Sequence, residues 1–149
     1  MSRLIENYVQ PIKEDGYLSA KPILTSSSIQ SSSATAGMGY ATGAGATVTQ
    51  ATNRTTGVTI NTVSGTITTN NASLAAEVAA SFTVTNSAVA IGDVVVVSQQ
   101  SGAVGAMTTV EVIAVAAGSF ILAVMNGNPA AGTAETGAII INFAVVKAV

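Results

Sequence analysis

The chain has 149 residues, a formal net charge of −2, and neither Cys nor His. The absence of Cys excludes disulfides and thiolate metal sites, and the absence of His removes the commonest general base and metal ligand. The five basic residues are scattered along the chain and form no patch that would bind nucleic acid.

Charge is distributed unevenly along the chain. Six charged residues lie within residues 1–21, and only six more lie within residues 22–149. A soluble domain usually carries about a quarter of its residues as Asp, Glu, Lys or Arg. We therefore expect a surface with few acids, bases or ligands, which suits a rigid part of a large assembly.

No segment predicts membrane insertion or secretion. The longest apolar stretch, residues 112–125, is broken by Gly118 and Ser119 and is shorter than the roughly 18–20 residues that cross a bilayer. The first residues lack the apolar core of a signal peptide. The sequence thus predicts a product of a reducing cytoplasm.

Residues 1–24 are predicted to form an extended N-terminal arm. Two short extended runs, residues 5–12 and 17–24, flank Lys13-Glu14-Asp15-Gly16, whose Asp-Gly pair indicates a β-hairpin. The two prolines of the arm confine its runs to sheet edges or irregular extension. Tyrosine is enriched at contact surfaces, although packing against its own hairpin is an equally open alternative. The candidate contact residues of the arm are Tyr8, Pro11, Tyr17 and Pro22.

Residues 25–37 are rich in Ser and Thr, cannot bury a core and are predicted to be a linker. Residues 38–149 are predicted to be all-β, because Thr, Val and Ile dominate and favour the pleated conformation. The number of strands and the turn spacing predict an antiparallel β-sandwich or jelly-roll-like domain, with one helical turn at residues 74–80. The predicted strands are 46–52, 57–62, 65–70, 80–86, 93–100, 107–116, 118–126 and 137–147.

The later strands contain apolar residues on both faces, as in Val94-Val-Val-Val and Ile139-Ile-Ile. A two-layer β domain buries one face of each sheet, so the second apolar face needs a cover. Neighbouring copies of the chain are the favoured cover, and the linker or a loop is the alternative. The domain is therefore predicted to be an oligomerisation domain. The interface candidates are Ile121, Ile139, Ile140, Ile141 and Phe143.

No motif predicts catalysis. The glycine-rich residues 37–45 lack the Lys-Ser/Thr ending and the strand–helix context of a phosphate loop. Ser and Thr are abundant, but a nucleophilic Ser needs a base and the chain has no His. Glu111 lies in a predicted strand and, if buried, would need Arg54 or Lys147 as partner. We expect no enzyme activity, no catalytic residues, no cofactor and no metal.

Several segments of the β domain resemble decoration or cement proteins of tailed bacteriophages, which are β-rich proteins on the phage head. The resemblance covers roughly 100 residues. It is carried by Thr56-Gly-Val-Thr-Ile-Asn, Ser64-Gly-Thr-Ile-Thr, Ser73-Leu-Ala-Ala, Ser81-Phe-Thr-Val-Thr-Asn-Ser, Asp93-Val-Val-Val-Val and Asn142-Phe-Ala-Val-Val-Lys.

The resemblance implies a homotrimer that sits on the outer surface of the capsid and binds the major capsid protein, after synthesis in the bacterial host cytoplasm. The arm would then contact the shell, and neither nucleic acid nor a membrane would be a partner. The alternative is a tail-fibre or adhesin-type module that binds a host surface glycan.

Overall fold

The computed structural model describes residues 34–35, 39–40 and 43–148, and the β domain belongs to a unit that spans Gly39–Val149. The predicted arm, most of the predicted linker and the four candidate contact residues lie outside the described residues. These four residues are Tyr8, Pro11, Tyr17 and Pro22.

The described residues form an all-β fold of eight strands, which confirms the predicted fold class. Each of the eight strands predicted from the sequence is present, with shifted ends. Among the described residues no helix is long and apolar enough to span a membrane. The strands are β1 (Gly45–Thr49), β2 (Val58–Thr59), β3 (Ser64–Thr68), β4 (Ala79–Thr85), β5 (Val94–Ser101), β6 (Thr108–Ala116), β7 (Ser119–Asn126) and β8 (Ile140–Val146).

The strands build two four-stranded sheets that pack face to face as a sandwich. Sheet I has the order β1-β3-β8-β5, and sheet II has the order β2-β4-β7-β6. The sandwich is as predicted, but its sheets are mixed rather than antiparallel throughout. β1 pairs with β3, and β2 with β4, in parallel, whereas the other strand pairs are antiparallel. The chain crosses to the other sheet at each of its first five connections. Successive strands of one sheet therefore run in the same direction there.

Alternating apolar residues of both sheets fill the space between the layers. In β4, Phe82 and Val84 point inward and are buried, while Ser81 and Thr83 are exposed. This period of two is what a half-buried strand requires. The core is completed by aromatic packing between the sheets, where the rings of Phe120 and Phe143 lie 5.5 Å apart at 49°.

The structure corrects the interface role predicted for the apolar side chains in and beside β8. Ile139, Ile141 and Phe143 lie inside the chain's own core, so these three side chains are not free to contact another copy. Ile140 points to the outer face and is half-buried, because β8 has neighbours on both sides. Ile121 in β7 is half-buried in the same way on the outer face of sheet II.

The prediction of a helical turn at residues 74–80 is also wrong, because these residues form no helix. Leu74 instead forms an isolated antiparallel bridge with Glu135, with N···O distances of 2.9 Å in both directions. A tight turn follows, in which Glu77 adopts a left-handed φ of 63° and donates its N–H to the carbonyl of Asn126. The chain then enters β4 at Ala79. The tertiary bridge outweighs the weak helical preference of this short segment.

Candidate functional site

The most elaborate polar arrangement of the domain surrounds Glu135, whose side chain is fully buried. Its carboxylate accepts hydrogen bonds from the backbone N–H groups of Val104, Gly105 and Gly137, at 2.7–3.1 Å, and from the hydroxyl of Thr108 at 2.5 Å. Gly137 N–H reaches Oε1, Gly105 N–H reaches Oε2, and Val104 N–H reaches both. The carboxylate therefore ties the β5–β6 connection to the segment that leads into β8.

Arg54 approaches the same region from the loop between β1 and β2 and is also buried. Its Nη2 donates to the backbone carbonyls of Glu135, at 3.1 Å, and Gly137, at 2.9 Å. Nε donates to the carbonyl of Ala72, and Nη1 donates to the Thr69 hydroxyl at 3.4 Å. The guanidinium thus binds backbone carbonyls, including that of Glu135, and does not form a direct ion pair with the Glu135 carboxylate.

Burial and hydrogen bonding act in opposite directions on Glu135. Desolvation raises the pKa of its carboxyl, but the Thr108 hydroxyl and the N–H groups of Val104, Gly105 and Gly137 outweigh it and lower the pKa from 4.5 to about 2. Desolvation lowers the pKa of Arg54, and the charge of Glu135 opposes this change. Glu135 is ionised at neutral pH because its pKa lies well below 7, and an arginine guanidinium keeps its proton in proteins.

This cluster has the character of a structural clasp. Each carboxylate oxygen and the guanidinium are already occupied by the chain's own groups, so the cluster offers no free acid, base or ligand atom. An open cleft of about 290 Å³ lies beside Arg54. Its other lining side chains carry no ionisable group; they are Asn53, Thr55, Ala72, Ser73, Leu74, Val78, Ala79 and Ala80.

Sequence reasoning missed Glu135 as a buried centre and considered Arg54 only as a partner of Glu111. Glu111 is exposed on β6, and Arg54 contacts the Glu135 region instead. A signal was present in the sequence. Glu135 is a lone charge within a Gly-, Ala- and Thr-rich segment that is otherwise uncharged, which distinguishes the residue but does not identify the groups that bind it.

Asp93 forms a second buried polar site at the start of β5. Its carboxylate forms an ion pair with Lys147 and accepts the N–H groups of Ala90, at 2.7 Å, and Ala148, at 3.1 Å. The hydrogen bond from Lys147, followed by that from Ala90, lowers the pKa of Asp93. This pair fastens the end of β8 to the turn that precedes β5.

We expect Asp93→Ala to lower the melting temperature more than Lys147→Ala does. Removing the carboxylate leaves the N–H groups of Ala90 and Ala148 without their acceptor, whereas removing Lys147, which is half-exposed, leaves Asp93 with both backbone donors. Thermal denaturation followed by circular dichroism at neutral pH measures both effects. Equal losses, or a larger loss for Lys147→Ala, would contradict this ranking.

The acidic residues of the domain do not converge on one site. Glu77 and Glu111 are exposed, and the carboxylates of Asp93 and Glu135 contact separate parts of the chain. Among the described residues no group of three or more His, Cys, Asp or Glu could hold a metal ion.

Large apolar side chains are exposed at several places on the sandwich surface. One group lies on the outer face of sheet I, where Val94 pairs with Val146 and Val96 with Ala144. A second group lies along the β5–β6 side and contains Val104, Met107 and Ile113. The exposed charges of residues 43–148 are few by comparison, namely Glu77, Glu111 and the ion-paired Lys147.

Three of the six charged residues within 43–148 are buried, and the surface exposes apolar and hydroxyl groups. Comparisons with protein-family models, with curated proteins and with solved structures found no match.

Proposed function

We propose that the chain is a structural protein of a phage particle, which decorates and stabilises the capsid as a trimer bound to the lattice of the major capsid protein. The observation that carries the proposal is the surface of the sandwich. Four of its six charged residues are buried or ion-paired within the fold, while large apolar side chains remain exposed. A surface of this kind suits contacts with protein neighbours.

In this proposal the protein acts by mechanical reinforcement of the capsid lattice. A protein that binds the assembled lattice but not the free subunits stabilises the lattice by mass action. Three linked copies multiply a weak contact of each single arm, because the second and third contacts become intramolecular. The protein requires no cofactor and acts at the outer surface of the virion.

The fibre or adhesin alternative is less well supported. A glycan site usually presents exposed aromatic rings with converging polar groups. In the described part of the chain, Phe82, Phe120 and Phe143 are buried in the core. Tyr40 is 45% exposed, but its hydroxyl donates to the carbonyl of Val145.

Mass spectrometry of purified particles, with copy numbers measured against the major capsid protein, tests the proposal. Decoration predicts a copy number comparable to that of the major capsid protein. A copy number as low as that of the tail proteins would favour the fibre alternative, and absence from the particle would refute both.

We expect that deleting residues 1–24 leaves a folded oligomer that no longer binds capsids. These residues concentrate the charge, Tyr and Pro of the chain and precede a Ser-rich segment, so they fit a tethered contact element. Truncated and intact chains would be added to particles that lack the protein, and the amount that co-sediments would be measured. Circular dichroism of both chains provides the folding control. Undiminished binding would transfer the contact to the β domain, and loss of folding would place the segment in the core.

A further inference from the structure

The two long edge strands of the sandwich lie on the same side of the molecule. β5 forms one edge of sheet I, β6 forms one edge of sheet II, and residues 102–107 connect them. We call this side, residues 97–115, the β5–β6 seam. The opposite side is formed by β1 and β2, which have only five and two residues.

The core is incompletely covered along the seam. Within the described chain, most of the partly buried apolar residues that pack against the core lie here, whereas Val48 is the corresponding residue at the opposite side. At that opposite side Val58 and Ile60 are buried, with exposures of 7% and 4%. The partly buried residues of the seam are Val97, Ala103, Val110, Val112 and Val115.

Exposed apolar residues extend the same surface outward. Val104 and Met107 in the connection are 60% and 55% exposed, and Ile113 in β6 is 52% exposed. Glu111 is the single charged residue between Asp93 and Glu135. It pairs in register with Ala123, on the outer face of sheet II, whereas the neighbouring Val110 and Val112 pack against the core. Within residues 97–115 Glu111 is therefore the single charged residue, and the remaining side chains are apolar or uncharged polar groups.

The main chain of the seam is unsuited to the addition of one long strand. β5 is interrupted by an irregularity between Gln99 and Ser101, and β6 by a bulge at Ile113. Such interruptions break the regular row of hydrogen-bonding groups on an edge strand. A partner must then bind chiefly through side chains, as at an obligate interface, which resembles a core cut in half.

We propose that the β5–β6 seam is the surface through which copies of this chain associate. A strongly charged partner would find only the single carboxylate of Glu111 there, whereas a second copy supplies the same row of Val, Ala, Met and Ile side chains. The inference rests on the proposed function for the number of copies, since a trimer brings three seams together. It replaces the five interface candidates predicted from the sequence, three of which the fold buries, with residues that the fold leaves uncovered.

Sedimentation equilibrium of the full chain with Met107→Lys and with Ile113→Lys tests this interface. Both side chains are more than half-exposed, so the variants are expected to fold, and thermal melts check this. Val146→Lys is the matched control, because Val146 is 53% exposed but lies on the outer face of sheet I. We expect the wild type to be an oligomer and each seam variant to raise the dissociation constant at least about tenfold, while Val146→Lys stays within about twofold.

Several results would overturn the proposal. Seam variants that assemble like the wild type would exclude the seam, and dissociation of Val146→Lys alone would move the interface to sheet I. A monomeric wild type that is destabilised by the seam substitutions would show that another part of the same chain covers the seam. The copy number in particles is an independent measurement. An oligomer that associates through the seam but is absent from particles would refute only the proposed function.

Discussion

Ile141→Asp is expected to abolish cooperative folding, whereas Ile140→Asp, one residue away, is expected to leave a folded chain. Ile141 is 0% exposed and faces Ile67 across the ladder between β3 and β8, with the other core residues around it. The substitution removes an apolar side chain, at a cost of about 2–5 kcal/mol, and buries a carboxyl without a partner, at a cost of several kcal/mol more. Domains are commonly stable by only about 5–15 kcal/mol.

Ile140 is the internal control for that experiment. Its side chain is half-buried on the outer face of sheet I, where a carboxylate can reach water. We expect a loss of about 1–2 kcal/mol, which reflects lost apolar contact and the poor strand propensity of Asp. Urea denaturation followed by circular dichroism measures both variants. If they lose similar stability, the inward and outward assignment of β8 is wrong.

This pair of residues shows why the sequence was misleading about β8. A run of three Ile residues has apolar side chains on both faces, and the pattern alone suggests that both faces are covered by other molecules. In the fold, β8 lies between β3 and β5, so the outer Ile140 is partly covered by its neighbours within sheet I. The position of a strand within its sheet determines this cover, and a single sequence does not specify that position.

The strands themselves were predictable because β-branched runs are bounded by turn residues. β4 follows the alternation of buried and exposed residues at every position. The parallel pairing of β1 with β3 and of β2 with β4 was not predictable, because alternation specifies which face is buried but not which strand is adjacent. The β5–β6 seam was missed for the same reason, since it requires knowledge of which strands are edges.

The buried polar cluster lies beyond pattern-based prediction for a different reason. Arg54 and Glu135 are separated by 81 positions, and the loops that contain them have no periodicity. A core predicted from apolar positions alone contains neither Arg54 nor Glu135, because both residues are charged. The density of hydrogen bonds around Glu135 can be identified only when the loops after β1, β3, β5 and β7 are seen together.

Glu135→Gln is expected to destabilise the domain by about 3 kcal/mol at neutral pH. This magnitude corresponds to the difference between the ordinary pKa of 4.5 and the folded-state pKa of about 2, because one pKa unit is about 1.4 kcal/mol. The amide has only one acceptor oxygen, so its NH₂ group would face N–H donors that now bind the carboxylate. Glu111→Gln, at an exposed position on β6, is the matched control and should change stability by less than about 0.5 kcal/mol.

The pH dependence of stability provides the sharper test of Glu135. Its pKa is lower in the folded chain than the ordinary value, so its contribution is complete above pH 4.5 and is lost as the pH falls toward 2. Asp93, whose pKa is also lowered, adds to this loss in the acidic range. Urea denaturation at a series of pH values should therefore show a smaller acid-induced loss in Glu135→Gln than in the wild type, with Glu111→Gln following the wild type. If the stability of Glu135→Gln and of the wild type falls in parallel between pH 4.5 and 2, Glu135 does not carry this linkage and the clasp does not depend on its charge.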